Sequence, residues 1–182
     1  KTIAVVGASG LVGSNIVRAG LERGYAVHGT LRDRNAPDKA EFLNALPGAA
    51  AGLQLFSADM ADGKAFDAPL AGSDCVFIAC LIPTYAGPSG TPAREMDDEQ
   101  GYAEIIMPTV NGCLNIMGAA ARQGVGNVVI CSSTSSTNPV PPVQPAGPTF
   151  RHLEDRAVSA TFLKKFAAVR VASLLLGRCP QT

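Results

Sequence analysis

The stretch Val5-Val6-Gly7-Ala8-Ser9-Gly10-Leu11-Val12-Gly13 limits what this chain can fold into more than any other. It follows an apolar, β-branched run and opens into a segment where Val12, Ile16 and Ala19 share one helical face. Glycines at this spacing let the chain turn tightly out of a strand. They also bring backbone N–H groups close to a pyrophosphate at the helix N-terminus and allow the helix to pack closely on the strand. A side chain at Gly7 or Gly10 would occupy the ligand's space. The competing reading is a glycine-rich turn with no ligand; the strand before, the helix after and a further strand from Tyr25 favour a dinucleotide site.

The rest of the chain repeats this alternation. Strands are predicted over residues 3–6, 25–31, 53–56, 75–79 and 128–131, and Val110, Leu114, Met117 and Ala121 mark the apolar face of a later helix. Strands alternating with helices imply βαβ units, right-handed crossovers and a doubly wound α/β architecture, a parallel sheet with helices on both faces. Residues 83–92 read as a loop, and Pro108 suits the first turn of the helix that follows. A second irregular stretch holds Pro139, Pro141, Pro142, Pro145 and Pro148, which no helix or central strand absorbs. Beyond it, residues 150–166 read as helix and 168–176 as a final strand.

Composition agrees with one domain over residues 1–182, carrying a Pro-rich loop at 134–149. Hydrophobic residues make up 47% and charged residues 16%, enough for a well-buried core. Fifteen basic residues balance fifteen acidic ones, which argues against a nucleic-acid or anionic-membrane partner, since binding phosphate polymers needs a cationic surface. The longest apolar run, residues 75–82, ends at Pro83, far short of the roughly 20 residues of a membrane span. The run from Ile3 leaves no room for a signal sequence after Lys1, so any leader is expected to be removed or never to have existed. Cys75, Cys80, Cys113, Cys131 and Cys179 are odd in number and lack CxxC spacing, which points to a reducing, cytoplasmic setting. No metal is expected, because no cysteine pair has ligand spacing and His28 and His152 are isolated from one another.

The end of the second strand discriminates between dinucleotides, since an acid there grips the ribose 2′-OH of NAD and a base accommodates the 2′-phosphate of NADP. It reads Gly29-Thr30-Leu31-Arg32-Asp33-Arg34, with Lys39 one short turn later, so cations outnumber Asp33 and favour NADP. NAD stays open as the less favoured reading, with Asp33 on the ribose and the arginines solvated.

These residues together resemble the extended short-chain dehydrogenase/reductases. The resemblance is carried by the glycine loop, by Leu31-Arg32-Asp33, by Leu55-Phe56-Ser57-Ala58-Asp59-Met60 and by Val76-Phe77-Ile78-Ala79-Cys80. Above all it is carried by Ile106-Met107-Pro108-Thr109-Val110-Asn111-Gly112-Cys113-Leu114-Asn115-Ile116. Within that family the chain is most similar to the dihydroflavonol reductase and cinnamoyl-CoA reductase group, over residues 1 to about 135. The resemblance implies a Rossmann domain in which Gly7, Ser9, Gly10, Leu11 and Val12 line the pyrophosphate and Arg32 with Lys39 hold the 2′-phosphate. It further implies that Asp59 and Met60 frame the adenine and that Ala79, Cys80 and Leu81 pass under the nicotinamide ribose. Asp59 as the cap of a helix beginning near Ala61, and Cys80 as plain core, are the alternatives.

By the same resemblance Ser133 takes the position of the catalytic serine, hydrogen-bonding the oxygen of a small-molecule carbonyl substrate. A Ser/Thr-rich loop bonding its own backbone is the other reading. The family pairs that serine with a Tyr and, four residues on, a Lys, which depresses the phenol's pKa for proton donation. None of Tyr25, Tyr85 and Tyr102 is followed by such a Lys. The segment from Arg156 to Lys165 resembles the catalytic helix, with Arg156 where the Tyr belongs and Ala160 where the Lys belongs. Family members carry a substrate-binding part beyond the strand at 168–176, so the resemblance implies that 182 residues hold little of it. Two functions follow, an NADPH-dependent carbonyl reductase or a catalytically impaired nucleotide-binding protein, and a fragment of a longer chain is a third possibility.

Overall fold

The computed structural model describes residues 1–80 and 87–131. The expectations for Leu81, Ser133, Arg156, Ala160, the Pro-rich loop and the last helix and strand lie outside the described residues.

Among the described residues, five strands form one parallel sheet in the order β3-β2-β1-β4-β5. They are β1 (Thr2–Val6), β2 (Ala26–Leu31), β3 (Leu53–Ser57), β4 (Cys75–Ile78) and β5 (Asn127–Ile130), each within a residue of the predicted strand at either end. Helices α1 (Leu11–Glu22), α2 (Pro37–Asn44) and α3 (Ala49–Gly52) join the first three strands. After β3 come α4 (Asp67–Leu70), α5 (Asp98–Gly101), a π-helical turn over Tyr102–Ile106 and α6 (Met107–Arg122), with Pro108 in its first turn. No helix among the described residues is long and apolar enough to cross a membrane.

Alternation along the strands sends successive side chains to opposite faces. On one face Ile3, Val5 and Val27 pack with Val17 and Leu21 of α1 and Leu43 of α2. On the other, Ala4, Val6, Val76 and Ile78 pack with Phe66, Leu70 and Ile116, Ala119 and Ala120 of α6. The chain moves from β1 to β2 on one side of the sheet and later to β4 on the other side of β1. The crevice above β1 and β4 is therefore the switch point at which an open α/β sheet takes its ligand.

Both predicted helix faces are corrected. Helix α1 buries Gly13, Val17, Gly20 and Leu21, while Leu11 and Val12 are exposed. Helix α6 buries Gly112, Cys113, Ile116, Ala119 and Ala120, while Leu114 is exposed. The reason is the same in both. A helix lies close to a sheet where its side chains are smallest: a Cβ on Gly20 would come within 2.8 Å of Ile3 Cδ1. The buried stripe, with Val17 and Leu21 on α1 and Ile116 on α6, lies about one residue round the helix from the predicted one, on the side where Gly13, Gly20 and Gly112 carry no side chain.

Candidate functional site

The glycine loop leaves β1 at Gly7, whose φ of 80° is open to glycine and strained for other residues. Thr30, buried at the end of β2, holds the loop from beneath: its carbonyl accepts the Ala8 N–H at 2.9 Å and its Oγ1 accepts the Gly7 N–H at 3.4 Å. The Gly10 N–H then bonds the Gly7 carbonyl at 3.1 Å, and Gly13 packs against that carbonyl so tightly that no Cβ fits. Gly10 is the N-cap of α1 without a side-chain cap, and no acidic residue stands in the first turn. The first-turn N–H groups and the positive end of the helix dipole therefore face outward without an internal anion. Ser9 is half-buried beside them, and Leu11 and Val12 stand exposed on the first turn.

At the end of β2, Arg32 is exposed and Lys39 is exposed in the first turn of α2; neither makes a side-chain hydrogen bond or ion pair among the described residues. Asp33 differs, because its Oδ1 accepts the Asn35 N–H at 2.9 Å in a local turn. Arg34 is tied to β3, its N–H donating to Ser57 Oγ at 3.0 Å.

At the end of β3, Asp59 Oδ1 accepts the Ala61 N–H at 2.8 Å. No helix begins at Ala61: this bond closes a turn, and α4 starts only at Asp67. Met60 is seated by α6. Asn115 Nδ2 donates to the Met60 carbonyl at 2.8 Å, and a Cβ on Gly112 would lie 2.7 Å from Met60 Cε. Glycine and asparagine on the α6 motif thus let the helix receive the tip of β3.

At the end of β4, the Ala79 N–H bonds the Val6 carbonyl at 2.9 Å and carries the chain past Gly7. The Cys80 thiol lies 3.6 Å from Met60 Sδ. Burial, and then the nearby Cys113 and Cys131, push the Cys80 thiol up to about 11, so it is a neutral, unreactive wall. The fold therefore brings Gly7, Met60 and Cys80 to one crevice, with Asp59 beside it and Arg32 and Lys39 at its β2 end. Thr30, Gly112 and Asn115 were assigned no role from sequence, although Gly112 and Asn115 lie in the motif that most carries the family resemblance.

The residues fit a dinucleotide: a tight glycine turn with no room for a Cβ at Gly7 or Gly13, an uncapped helix start, and two exposed cations without partners among the described residues. The model of the NAD dependent epimerase/dehydratase family matches residues 3–172. The chain belongs to that family. It is 34% identical over 138 residues to a dihydroflavonol 4-reductase of Dianthus caryophyllus, covering 76% of this chain and 35% of that protein. It is 37% identical over 137 residues to a cinnamoyl-CoA reductase of Medicago truncatula, covering 75% and 39%. Vestitone reductase from alfalfa superposes with a TM-score of 0.54 at 31% identity, covering 74% of this chain and 37% of that structure.

Two further structures share the fold. A yeast methylglyoxal/isovaleraldehyde reductase complexed with NADPH has a TM-score of 0.58 at 23% identity, covering 75% and 38%. A negative transcriptional regulator in complex with NAD has 0.54 at 20%, covering 78% and 36%. Family membership brings a nicotinamide dinucleotide as the cofactor class, and the relatives are reductases. This chain matches little more than a third of the length of the curated relatives.

Proposed function

We propose that the chain is the cofactor-binding part of an NADPH-dependent reductase that converts a small-molecule carbonyl to an alcohol. The observation that carries this reading is the division of labour after β2. Arg32 and Lys39 stand exposed with no side-chain bond among the described residues, whereas Asp33, the acid that would grip a ribose 2′-OH, has one carboxylate oxygen engaged by the Asn35 N–H at 2.9 Å. A 2′-phosphate meets two cations there, against a single, partly engaged acid for a ribose hydroxyl.

When bound, the dinucleotide supplies a hydride for the carbonyl carbon. The chain's own residues do the rest. The backbone N–H groups of Ser9, Leu11 and Val12, which no internal acceptor takes among the described residues, face the pyrophosphate, Asp59 and Met60 flank the adenine, and Ala79, Cys80 and Leu81 run under the nicotinamide ribose. Ser133 donates a hydrogen bond to the carbonyl oxygen as negative charge develops on it. The cofactor contacts, a single domain over 1–182, a cytoplasmic setting and the absence of nucleic-acid and membrane partners all belong to this proposal. A second reading, a nucleotide-binding protein without turnover, is favoured by one observation: Arg156 and Ala160 stand where the Tyr and Lys of the reductases are expected. Loss of a positioned general acid costs about 10²–10⁴ in rate.

Fluorescence titration tests the cofactor half. NADPH binding should weaken about tenfold or more in Arg32→Ala, a loss of about 1.4 kcal/mol or more, while NADH binding hardly changes. Equal weakening of both cofactors defeats the 2′-phosphate assignment. Turnover of NADPH with simple aldehydes, lost in Ser133→Ala, supports the reductase, and binding without turnover in the parent selects the second reading.

A further inference from the structure

The chain leaves β4 at the carboxyl end of the sheet, the edge at which a parallel α/β sheet takes its ligand, and the described part of the connection, residues 87–106, leads into α6, whose Gly112 and Asn115 seat Met60. Here residues 87–91 are fastened to the start of the long helix by one side chain. Glu104 Oε2 accepts from Ser89 twice, from its N–H at 3.2 Å and from its Oγ at 2.7 Å. Glu104 Oε1 accepts from Gln100 Nε2 at 2.9 Å. The same amide reaches Ser89 Oγ at 3.2 Å and Thr91 Oγ1 at 3.3 Å. Gly87 lies flush on the carboxylate, since a Cβ there would sit 2.8 Å from Glu104 Cβ.

The backbone explains why Glu104 can reach. In a regular α-helix its carbonyl would accept the N–H of the residue four positions on, which is Pro108 and has none. The chain crosses this gap as a π-helical turn, with the Met107 N–H bonding the Tyr102 carbonyl five residues back. Wide turns of this kind recur at functional sites. The three bonds from Ser89 and Gln100 hold the Glu104 carboxyl below the ordinary 4.5, so it is ionised, and no cation pairs with it among the described residues. An ionised carboxylate that satisfies only neutral donors is a fastening for those donors.

We propose that Glu104 is a positioning residue that clamps the Gly87–Thr91 segment as a fixed wall beside the nicotinamide end of the crevice. The wall would limit access of solvent, and of bulky carbonyl substrates, to the dihydronicotinamide ring. The inference rests on the cofactor reading above, and it concerns a segment that reading does not use.

The test compares the parent chain with Glu104→Ala and Glu104→Gln. In Glu104→Ala, amide exchange at Ser89, Gly90 and Thr91 should be about tenfold faster. Bound NADPH should lose its protection from acrylamide quenching while its Kd stays unchanged. Glu104→Gln, which keeps one acceptor oxygen, should fall between the two. Ser89→Ala removes the shortest bond from an exposed position, and serves if Glu104→Ala does not fold. Unchanged exchange, or unchanged quenching with NADPH still bound, overturns the clamp alone. Failure of the parent chain to bind NADPH overturns the cofactor reading and the wall with it, leaving a distinct signature.

Discussion

Cys80 stands so close to Gly7 that a Cβ on the glycine would lie 2.5 Å from the cysteine's own Cβ. The first and fourth strands thus meet at their carboxyl ends with no room between them. The dinucleotide crevice is shaped by this contact as much as by the glycines' reach toward a phosphate.

Gly7→Ala is therefore expected to destabilise the fold as well as weaken cofactor binding. Its φ of 80° costs an L-residue about 1–2 kcal/mol, and overpacking against Cys80 adds about 1–3 kcal/mol. Urea unfolding measures it. A variant as stable as the parent would mean that the strands do not approach this closely.

Gly112→Ala should overpack Met60 and cost about 1–3 kcal/mol. Because the obstruction is the Met60 side chain, at 2.7 Å from Cε and 2.9 Å from Cβ, Met60→Ala in the same chain should recover part of the loss. A double-mutant cycle reads the coupling directly. Strict additivity would show that the two residues do not touch.

Stability should fall in alkali, and Cys80 should account for part of the fall. Its thiol titrates at about 11 in the folded chain against 9.0 when exposed, so its pKa is raised by folding. The contribution is fully present below pH 9, shrinks by up to about 3 kcal/mol as pH rises to about 11, and then levels off. In Cys80→Ala the stability curve should be flatter across that window. An identical slope in both proteins would assign the alkaline loss to other groups. Alkylation of Cys80 at pH 8 should be correspondingly slow, with roughly one thiol in a thousand ionised.

Arg122 spans α6 and α4, with Nη2 donating to Asp67 Oδ1 at 2.6 Å and to the Gly63 carbonyl at 2.9 Å. Both charged side chains are substantially exposed, so Arg122→Ala should cost only about 1 kcal/mol or less, and less again in high salt. A loss several times larger, insensitive to salt, would make the carbonyl bond the dominant tie.

Local chemistry was sufficient for much of this molecule. The alternation of apolar runs with helical patterns, the glycine spacing, the cations after β2 and Pro108 at the head of α6 all act over a few residues, and each was legible in the chain itself. The family motif around Asn111 to Ile116 was visible as a pattern, but its physical meaning was not. Gly112 and Asn115 serve Met60, and Asn115 stands 55 residues from it. The packing faces of α1 and α6 were hidden for a related reason, because a glycine's contribution is the backbone that it lets through, which no hydrophobic count records. Thr30 beneath Gly7 and Glu104 fastened to Ser89 are likewise pairings between segments 23 and 15 residues apart. Residue types and short-range spacing determined the elements and the class of ligand. How those elements approach one another was decided only by tertiary structure, because hydrogen bonds and close contacts between distant segments, such as Asn115 on Met60 and Thr30 on Gly7, engage some polar groups and leave others without a partner among the described residues.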